Sequence, residues 1–256
     1  MKINGVNTTS IVKINGIAKA SITKVSGVTI SAGPTPPSPI ATNIYDAGNA
    51  TSYPGSGTTW YNIGTGGTKN VTLNNGVGYS STGGGSLTFN GTNQYGRIIY
   101  DSTFNFSTGN YCMNAWVKFN TIVTTTVTSK DTNGANFDWC MYLPTNSSMY
   151  NYSNGTATNV SKTLSPALST GVWYNLTITS TGNSITMFLN GVQQGTATSM
   201  SISNADTIAL TIGCVGQNIQ ALFLNGSIGM MEYYNVGLTA PEVLAKFNYN
   251  KARFGY

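Results

Sequence analysis

Trp173-Tyr-Asn-Leu-Thr-Ile-Thr179, and then Ile185-Thr-Met-Phe-Leu189, Asn190-Gly191 and Val192-Gln-Gln-Gly-Thr196, carry the reading of the fold. Tyr174, Leu176 and Ile178 alternate with polar positions, as a half-buried antiparallel strand requires, and Ile185, Met187 and Leu189 likewise share one face. Asn-Gly supplies the two residues that accept positive φ in a type I′ turn. The stretch predicts a strand followed by a tight hairpin.

Outward from it, the same grammar runs from Ile40 to Val236: short alternating or apolar runs broken by turn residues, with almost no helical periodicity. Asn-Gly recurs at Asn75-Gly76, Asn90-Gly91, Asn133-Gly134, Asn154-Gly155 and Asn225-Gly226, so many hairpins are expected. Near the end, Thr239-Ala-Pro-Glu242 has the form of a capping box, with Val243, Leu244 and Phe247 following at helical spacing. One short helix is expected to run to about Asn248 and pack on the rim of a β-sandwich. The aromatic and basic end, Lys251-Ala-Arg-Phe-Gly-Tyr256, is expected to lie against the body or a neighbour.

The first residues follow a different rule. Lys2-Ile-Asn-Gly-Val6, Lys13-Ile-Asn-Gly-Ile17 and Lys24-Val-Ser-Gly-Val28 repeat every eleven residues. Each turn pair is flanked by β-branched residues, which suits a small meander of antiparallel strands; a flexible tail is the alternative. A unit this short buries no core alone and needs neighbouring copies or a partner surface. Lys2, Ile3, Lys13, Ile14, Lys19, Lys24 and Val25 are therefore the candidate attachment residues of an arm over 1–31. Four prolines follow within Ser31 to Pro39, so 32–39 reads as a stiff linker and 40–256 as the body.

Charge separates the two parts. The chain has twelve Lys and Arg against seven Asp and Glu, and four of the lysines lie in the arm with no acid beside them. The body keeps eight basic and seven acidic residues and is nearly neutral. A nucleic-acid reader would cluster Lys and Arg on its folded surface, so no nucleic-acid partner is expected. No signal-peptide core and no membrane-spanning run is found, so synthesis in a cytoplasm and no membrane contact are expected. Cys112, Cys140 and Cys214 are an odd number at no metal-ligand spacing: free core thiols are expected, with one disulfide as the alternative.

Catalytic chemistry is sparse. The chain has no histidine, which removes histidine-based triads and the commonest general base. Its seven carboxylates, Asp46, Asp101, Asp131, Asp138, Asp206, Glu232 and Glu242, include no pair two or four apart on one strand. Glycoside hydrolysis needs two close carboxylates in different protonation states, so no enzymatic activity is expected. For glycan binding the useful groups are exposed aromatic faces beside amides, and Tyr53, Trp60, Tyr61, Asn93 and Tyr95 are the candidates; edge packing of a sandwich is the competing reading of the same rings. Trp116, Trp139 and Trp173 lie in strands and are expected in the core.

Four segments in order resemble the laminin-G-like, concanavalin A-like jelly-roll family: Ser86-Leu-Thr-Phe-Asn-Gly-Thr-Asn-Gln-Tyr95, Tyr111-Cys-Met-Asn-Ala-Trp-Val-Lys-Phe119, Trp173 to Gly195, and Gly226-Ser-Ile-Gly-Met-Met-Glu-Tyr-Tyr-Asn235 with Leu238-Thr-Ala-Pro-Glu242. The resemblance implies an all-β fold of two antiparallel sheets face to face, with one short C-terminal helix, here preceded by a small β-repeat arm. It also implies calcium at a sheet rim in many members. Gln94-Tyr95 stands where related loops often read Asp-Tyr, so no cofactor is expected, and Asp46, Asp101 and Asp131 are left as weak metal candidates that serve equally as loop caps. The family's hydrolase strand of paired glutamates and an aspartate is absent.

Asp46-Ala-Gly-Asn49 and Ser52-Tyr-Pro-Gly-Ser-Gly-Thr-Thr-Trp60 also resemble the start of such modules in proteins of bacteria and their viruses, and the Lys-Ile-Asn-Gly-Val repeats are similar to those on tailed-phage structural proteins. That resemblance implies a non-enzymatic virion protein, in which the arm binds other capsid or tail proteins and the body is displayed on the virion surface. Capsid decoration or a head fibre is preferred over a tail component. The alternative is a carbohydrate-binding adhesin for host-surface or mucosal glycans, and then a glycan hydrolase. A trimer suits fibres and capsid three-fold positions.

Overall fold

A computed structural model describes residues 35–256 apart from 107–108, 132–136, 153–158, 201–206 and 218–219, together with six two-residue strands among the first 34 residues. Two compact units emerge, Met1–Pro37 and Ser38–Tyr256. The second begins inside the expected linker, because Pro39 is held by the body: its carbonyl accepts from Lys246 Nζ at 2.6 Å.

In the first unit, β1 (Lys2–Ile3) pairs with β2 (Val6–Asn7), β3 (Lys13–Ile14) with β4 (Ile17–Ala18), and β5 (Lys24–Val25) with β6 (Val28–Thr29). In register, Ile3 is paired with Val6, Ile14 with Ile17 and Val25 with Val28; the Asn-Gly and Ser-Gly pairs between them lie outside the described residues. The expected meander is corrected. Among the described residues each strand pairs only within its own repeat. Lys19 lies outside the described residues.

The body is the expected sandwich. One sheet joins β7 (Asn43–Asp46), β10 (Gly78–Ser80), β11 (Ser86–Asn90), β13 (Tyr111–Phe119), β18 (Trp173–Thr181), β19 (Ser184–Leu189), β20 (Val192–Gln193), β21 (Thr198–Ser199) and β23 (Asn225–Tyr234). The other joins β8 (Thr59–Trp60), β9 (Val71–Asn74), β12 (Tyr95–Ile98), β14 (Thr125–Asp131), β15 (Phe137–Thr145), β16 (Ser148–Tyr152), β17 (Asn159–Thr163) and β22 (Leu210–Ile212). We call them sheet I, ordered β10-β11-β23-β13-β18-β19-β20, and sheet II, ordered β17-β16-β15-β14-β22-β12-β9-β8. β7 continues the line of β11 along one edge of β23. All pairings described are antiparallel.

Alternation fills the space between the sheets. Met113, Ala115 and Val117 of β13, Leu176 and Ile178 of β18, and Ile185, Met187 and Leu189 of β19 meet Trp139, Met141 and Leu143 of β15 in one buried cluster. Leu176 faces Leu189 and Ile178 faces Met187 across β18 and β19, and in the next hairpin Leu189 faces Val192 while Asn190 and Gly191 take φ of 52° and 78°, the turn that the sequence predicts. The other Asn-Gly pairs behave differently. Asn75-Gly76 links β9 of sheet II to β10 of sheet I, and Asn90-Gly91 links β11 of sheet I to β12 of sheet II, so both turn corners between sheets. Asn225-Gly226 opens β23, where Lys118 leaves no room for a side chain at Gly226. Asn133-Gly134 and Asn154-Gly155 lie outside the described residues.

The helix, α1 (Ala240–Asn250), begins as expected: Glu242 accepts from the backbone N–H and the hydroxyl of Thr239, each at 2.7 Å. Its position corrects the expected rim packing. The outward residues of sheet I are themselves apolar, and Val243 joins Cys112, Phe188 and Tyr234 while Phe247 joins Trp116, Met230 and Phe254. Trp116 stacks on Phe254 at 4.3 Å between ring centroids and on Phe247 at 5.6 Å. The C-terminal 3₁₀ turn, Lys251–Phe254, thus lies on the body. Trp116 and Trp139 are fully buried, and Trp173 is half-buried against Phe254.

Candidate functional site

The five glycan-binding candidates do not form one surface. Thr59 faces Thr72 and Trp60 faces Val71 in the β8–β9 ladder, so alternation turns Trp60 inward, where it has no exposed surface and packs 5.7 Å from Tyr45. Tyr53 is 3 % exposed, its hydroxyl donating to the Gly57 carbonyl at 3.0 Å. Burial therefore withdraws Tyr53 and Trp60 from any sugar. Tyr61 is 43 % exposed just past β8, while half-buried Tyr95 pairs with Asn74 at the far end of β9. Asn93 is occupied with its own loop: its carbonyl accepts from Asn75 and its side-chain oxygen from Asn90, at 2.6 and 2.9 Å.

Asp46, Asp138, Glu232 and Glu242 each have a structural task. Asp46 pairs with Arg253 at 2.6 Å and accepts from the Gly48 N–H. Glu242 caps α1. Asp138 pairs with Lys130 inside sheet II, and Asp131 is buried at the end of β14. Glu232 lies beneath α1, accepting from Asn114 Nδ2 at 2.7 Å, while Asn114 in turn accepts from Asn175 and Thr177. Burial pushes the Glu232 carboxyl up, against the opposing pull of Lys246 and the hydrogen bonds, and burial lowers the Lys246 ammonium. Asp206 lies outside the described residues. Asp46, Asp101 and Asp131 are not assembled into a ligand set, and no group of three or more Cys, Asp or Glu able to hold a metal occurs among the described residues.

Cys112, Cys140 and Cys214 are free and buried, as the first of the two readings expects. Burial raises the Cys112 thiol well above its ordinary value and the Cys214 thiol to about 12, so both are poor nucleophiles. No helix among the described residues is long and apolar enough to cross a membrane.

A cleft of about 310 Å³ opens where β9 begins and β12 ends, and sequence reasoning had not found it. Lys69, Asn70 and Thr72 line one side, Ile99, Tyr100 and Asp101 the other. The Lys69 ammonium pairs with Asp101, whose carboxylate also accepts from the N–H and hydroxyl of Thr103 at 2.9 and 2.7 Å. Partial burial pushes the Asp101 carboxyl up, but the bonds from Lys69 and Thr103, with the Lys69 charge, outweigh it and hold the group below its ordinary value. The Tyr45 hydroxyl donates to the Lys69 carbonyl and ties this wall to the core. Nearby, Arg97, the cross-strand partner of Thr72, has its Nε–H buried without a hydrogen-bond partner. The Lys69–Asp101 pairing spans two loops with no shared motif in the sequence.

This is the architecture of a lectin-like β-sandwich, and residues 89–244 match the family described as the concanavalin A-like lectin/glucanases superfamily. The chain belongs to that family. A search of curated proteins finds no sequence match. Among solved structures, domain 4 of AbnA, an extracellular GH43 arabinanase of Geobacillus stearothermophilus in complex with arabinotriose, superposes with a TM-score of 0.61 at 18 % identity, over 80 % of this chain and 96 % of that one. A Trypanosoma rangeli sialidase in complex with sialic acid gives 0.62 at 14 % identity, over 93 % of this chain but 37 % of the sialidase. The botulinum neurotoxin serotype D binding domain gives 0.60 at 12 %, over 82 % of this chain and 51 % of that one. At these identities the likeness is one of fold.

Proposed function

We propose that the chain is a non-enzymatic structural protein of a tailed-phage particle: the repeat arm holds it to capsid or tail proteins, and the sandwich is displayed outward to bind glycans. The observation that carries this reading is the division of labour within the chain. A lysine-bearing unit of three short hairpins precedes a sandwich in which Asp46, Asp138, Glu232 and Glu242 are each held by a structural partner. Two-residue strands are marginal alone and gain order from a surface they dock on. Glycoside hydrolysis asks for two carboxylates poised across one bond, and burial takes Glu232 and Asp138 out of reach of a substrate.

The test is incorporation. Particles assembled with the full chain are expected to contain it, and particles assembled with a chain lacking residues 1–37 are expected to lack it, read by mass spectrometry of purified virions. Normal incorporation of the shortened chain overturns the attachment role, and polysaccharide turnover that survives purification overturns the non-enzymatic one. A carbohydrate-binding adhesin that acts without a particle is the second reading, favoured by the arabinotriose and sialic acid complexes of the fold's neighbours; it predicts glycan binding with no virion association.

A further inference from the structure

We infer that the cleft between Lys69–Thr72 and Ile99–Asp101 is a saccharide subsite, and that it takes a neutral sugar rather than an acidic one. The inference rests on the glycan-binding part of the function proposed above and gives it a place. Its volume of about 310 Å³ is at the small end of ligand pockets, suited to one or two sugar rings.

Three features of the walls match a sugar. A sugar ring presents an apolar C–H face and a rim of hydroxyls that both donate and accept. Tyr100 supplies the apolar surface: it is 40 % exposed, next to Ile99 at 80 %. The ring is held in place, with the Lys130 ammonium 5.7 Å from its centroid and its hydroxyl accepting from Asn105 at 3.2 Å. Lys69 and Asp101 sit side by side as an ammonium that donates and a carboxylate that accepts, which suits a pair of adjacent hydroxyls, and Asn70 and Thr72 extend the polar rim.

The same pair sets the class of sugar. Lys69 and Asp101 cancel, and Arg97 is not part of the lining, so the cleft has no net charge with which to pull in a carboxylate sugar. The walls are also preorganised: Tyr45 anchors Lys69 by its carbonyl, and Asp101 caps the Ser102–Phe104 turn, so little ordering is left for the ligand to drive.

The test uses the full chain, labelled with ¹⁵N, and neutral pentose and hexose di- and trisaccharides including lactose and arabinotriose, with 3′-sialyllactose as the acidic probe, at millimolar concentrations. Amide shifts are expected at Lys69–Thr72 and Ile99–Asp101 with at least one neutral saccharide. Tyr100→Ala and Lys69→Met are each expected to weaken that binding at least tenfold, while Tyr249→Ala, on α1 and sheet I, leaves it unchanged. Shifts confined to another surface, or undiminished binding by Tyr100→Ala, overturn the site and leave the glycan reading standing. Binding to no saccharide overturns both. Tighter binding of 3′-sialyllactose than of lactose overturns the neutral class. Should a variant unfold, the amide map of the unaltered chain decides alone.

Discussion

Trp60 packs 5.7 Å from Tyr45 with no surface exposed, while Tyr61, next in the chain, keeps 43 % of its own in solvent. Truncating a buried Trp removes its transfer energy and leaves a cavity, so Trp60→Ala is expected to cost about 3–5 kcal/mol in urea unfolding. Tyr61→Ala is expected to change stability by less than about 0.5 kcal/mol. A Trp60→Ala protein within 1 kcal/mol of the parent (on the order of the cost of a surface change) would contradict the packing. Glu232 carries a pH signature. Its folded value is raised above the ordinary 4.5, so the native state binds the extra proton and stability falls as pH rises through the folded value, being greatest below 4.5. Calorimetric melting is thus expected to rise as pH drops from 7 toward 5, less steeply in Glu232→Gln. Parallel pH profiles for the two proteins would remove Glu232 as the source.

At the scale of elements, α1 and the turn after it are a lid on sheet I. Phe254 is 4 % exposed and stacks on Trp116 at 4.3 Å, so Phe254→Ala is expected to cost about 3 kcal/mol, at the lower end of buried Phe truncations. Thr239→Ala, which loses one bond to Glu242, is expected to cost about 1 kcal/mol. Chemical denaturation of the two variants ranks them, and the reverse order would mean that the cap, not the aromatic stack, holds the lid. The helix was legible because a capping box is local chemistry. Its landing place was not, because that depends on Cys112, Trp116 and Met230 pointing outward from strands whose two faces are both apolar. Asn-Gly was misleading for a related reason: it specifies a turn but not which sheet the next strand joins, so Asn75-Gly76 and Asn90-Gly91 became corners between sheets. Of the site, alternation could have turned Trp60 inward in advance. The pairing of Lys69 with Asp101 had no sequence signal, because it joins loops that only the folded sandwich brings together.

For the whole molecule, the core cluster among the described residues runs from Tyr45 to Tyr233, all within the second unit. Each arm hairpin has two paired residues per strand, below what holds a hairpin alone in water. Arm amides are therefore expected to exchange with solvent far faster than those of β13, β18 and β23. Removing residues 1–37 is expected to leave the calorimetric melting temperature within about 2 °C, the shift that about 1 kcal/mol or less produces in a body of this size. The same deletion takes four lysines and no acid, lowering the net charge from +5 to +1, the eight basic against seven acidic residues that remain. Adhesion of the full chain to an acidic protein surface should then weaken with salt, and adhesion of the shortened chain should be absent at any ionic strength. A melting temperature lowered by more than 5 °C (about 1 kcal/mol or more) would mean that the arm completes the sandwich instead of attaching it to something else.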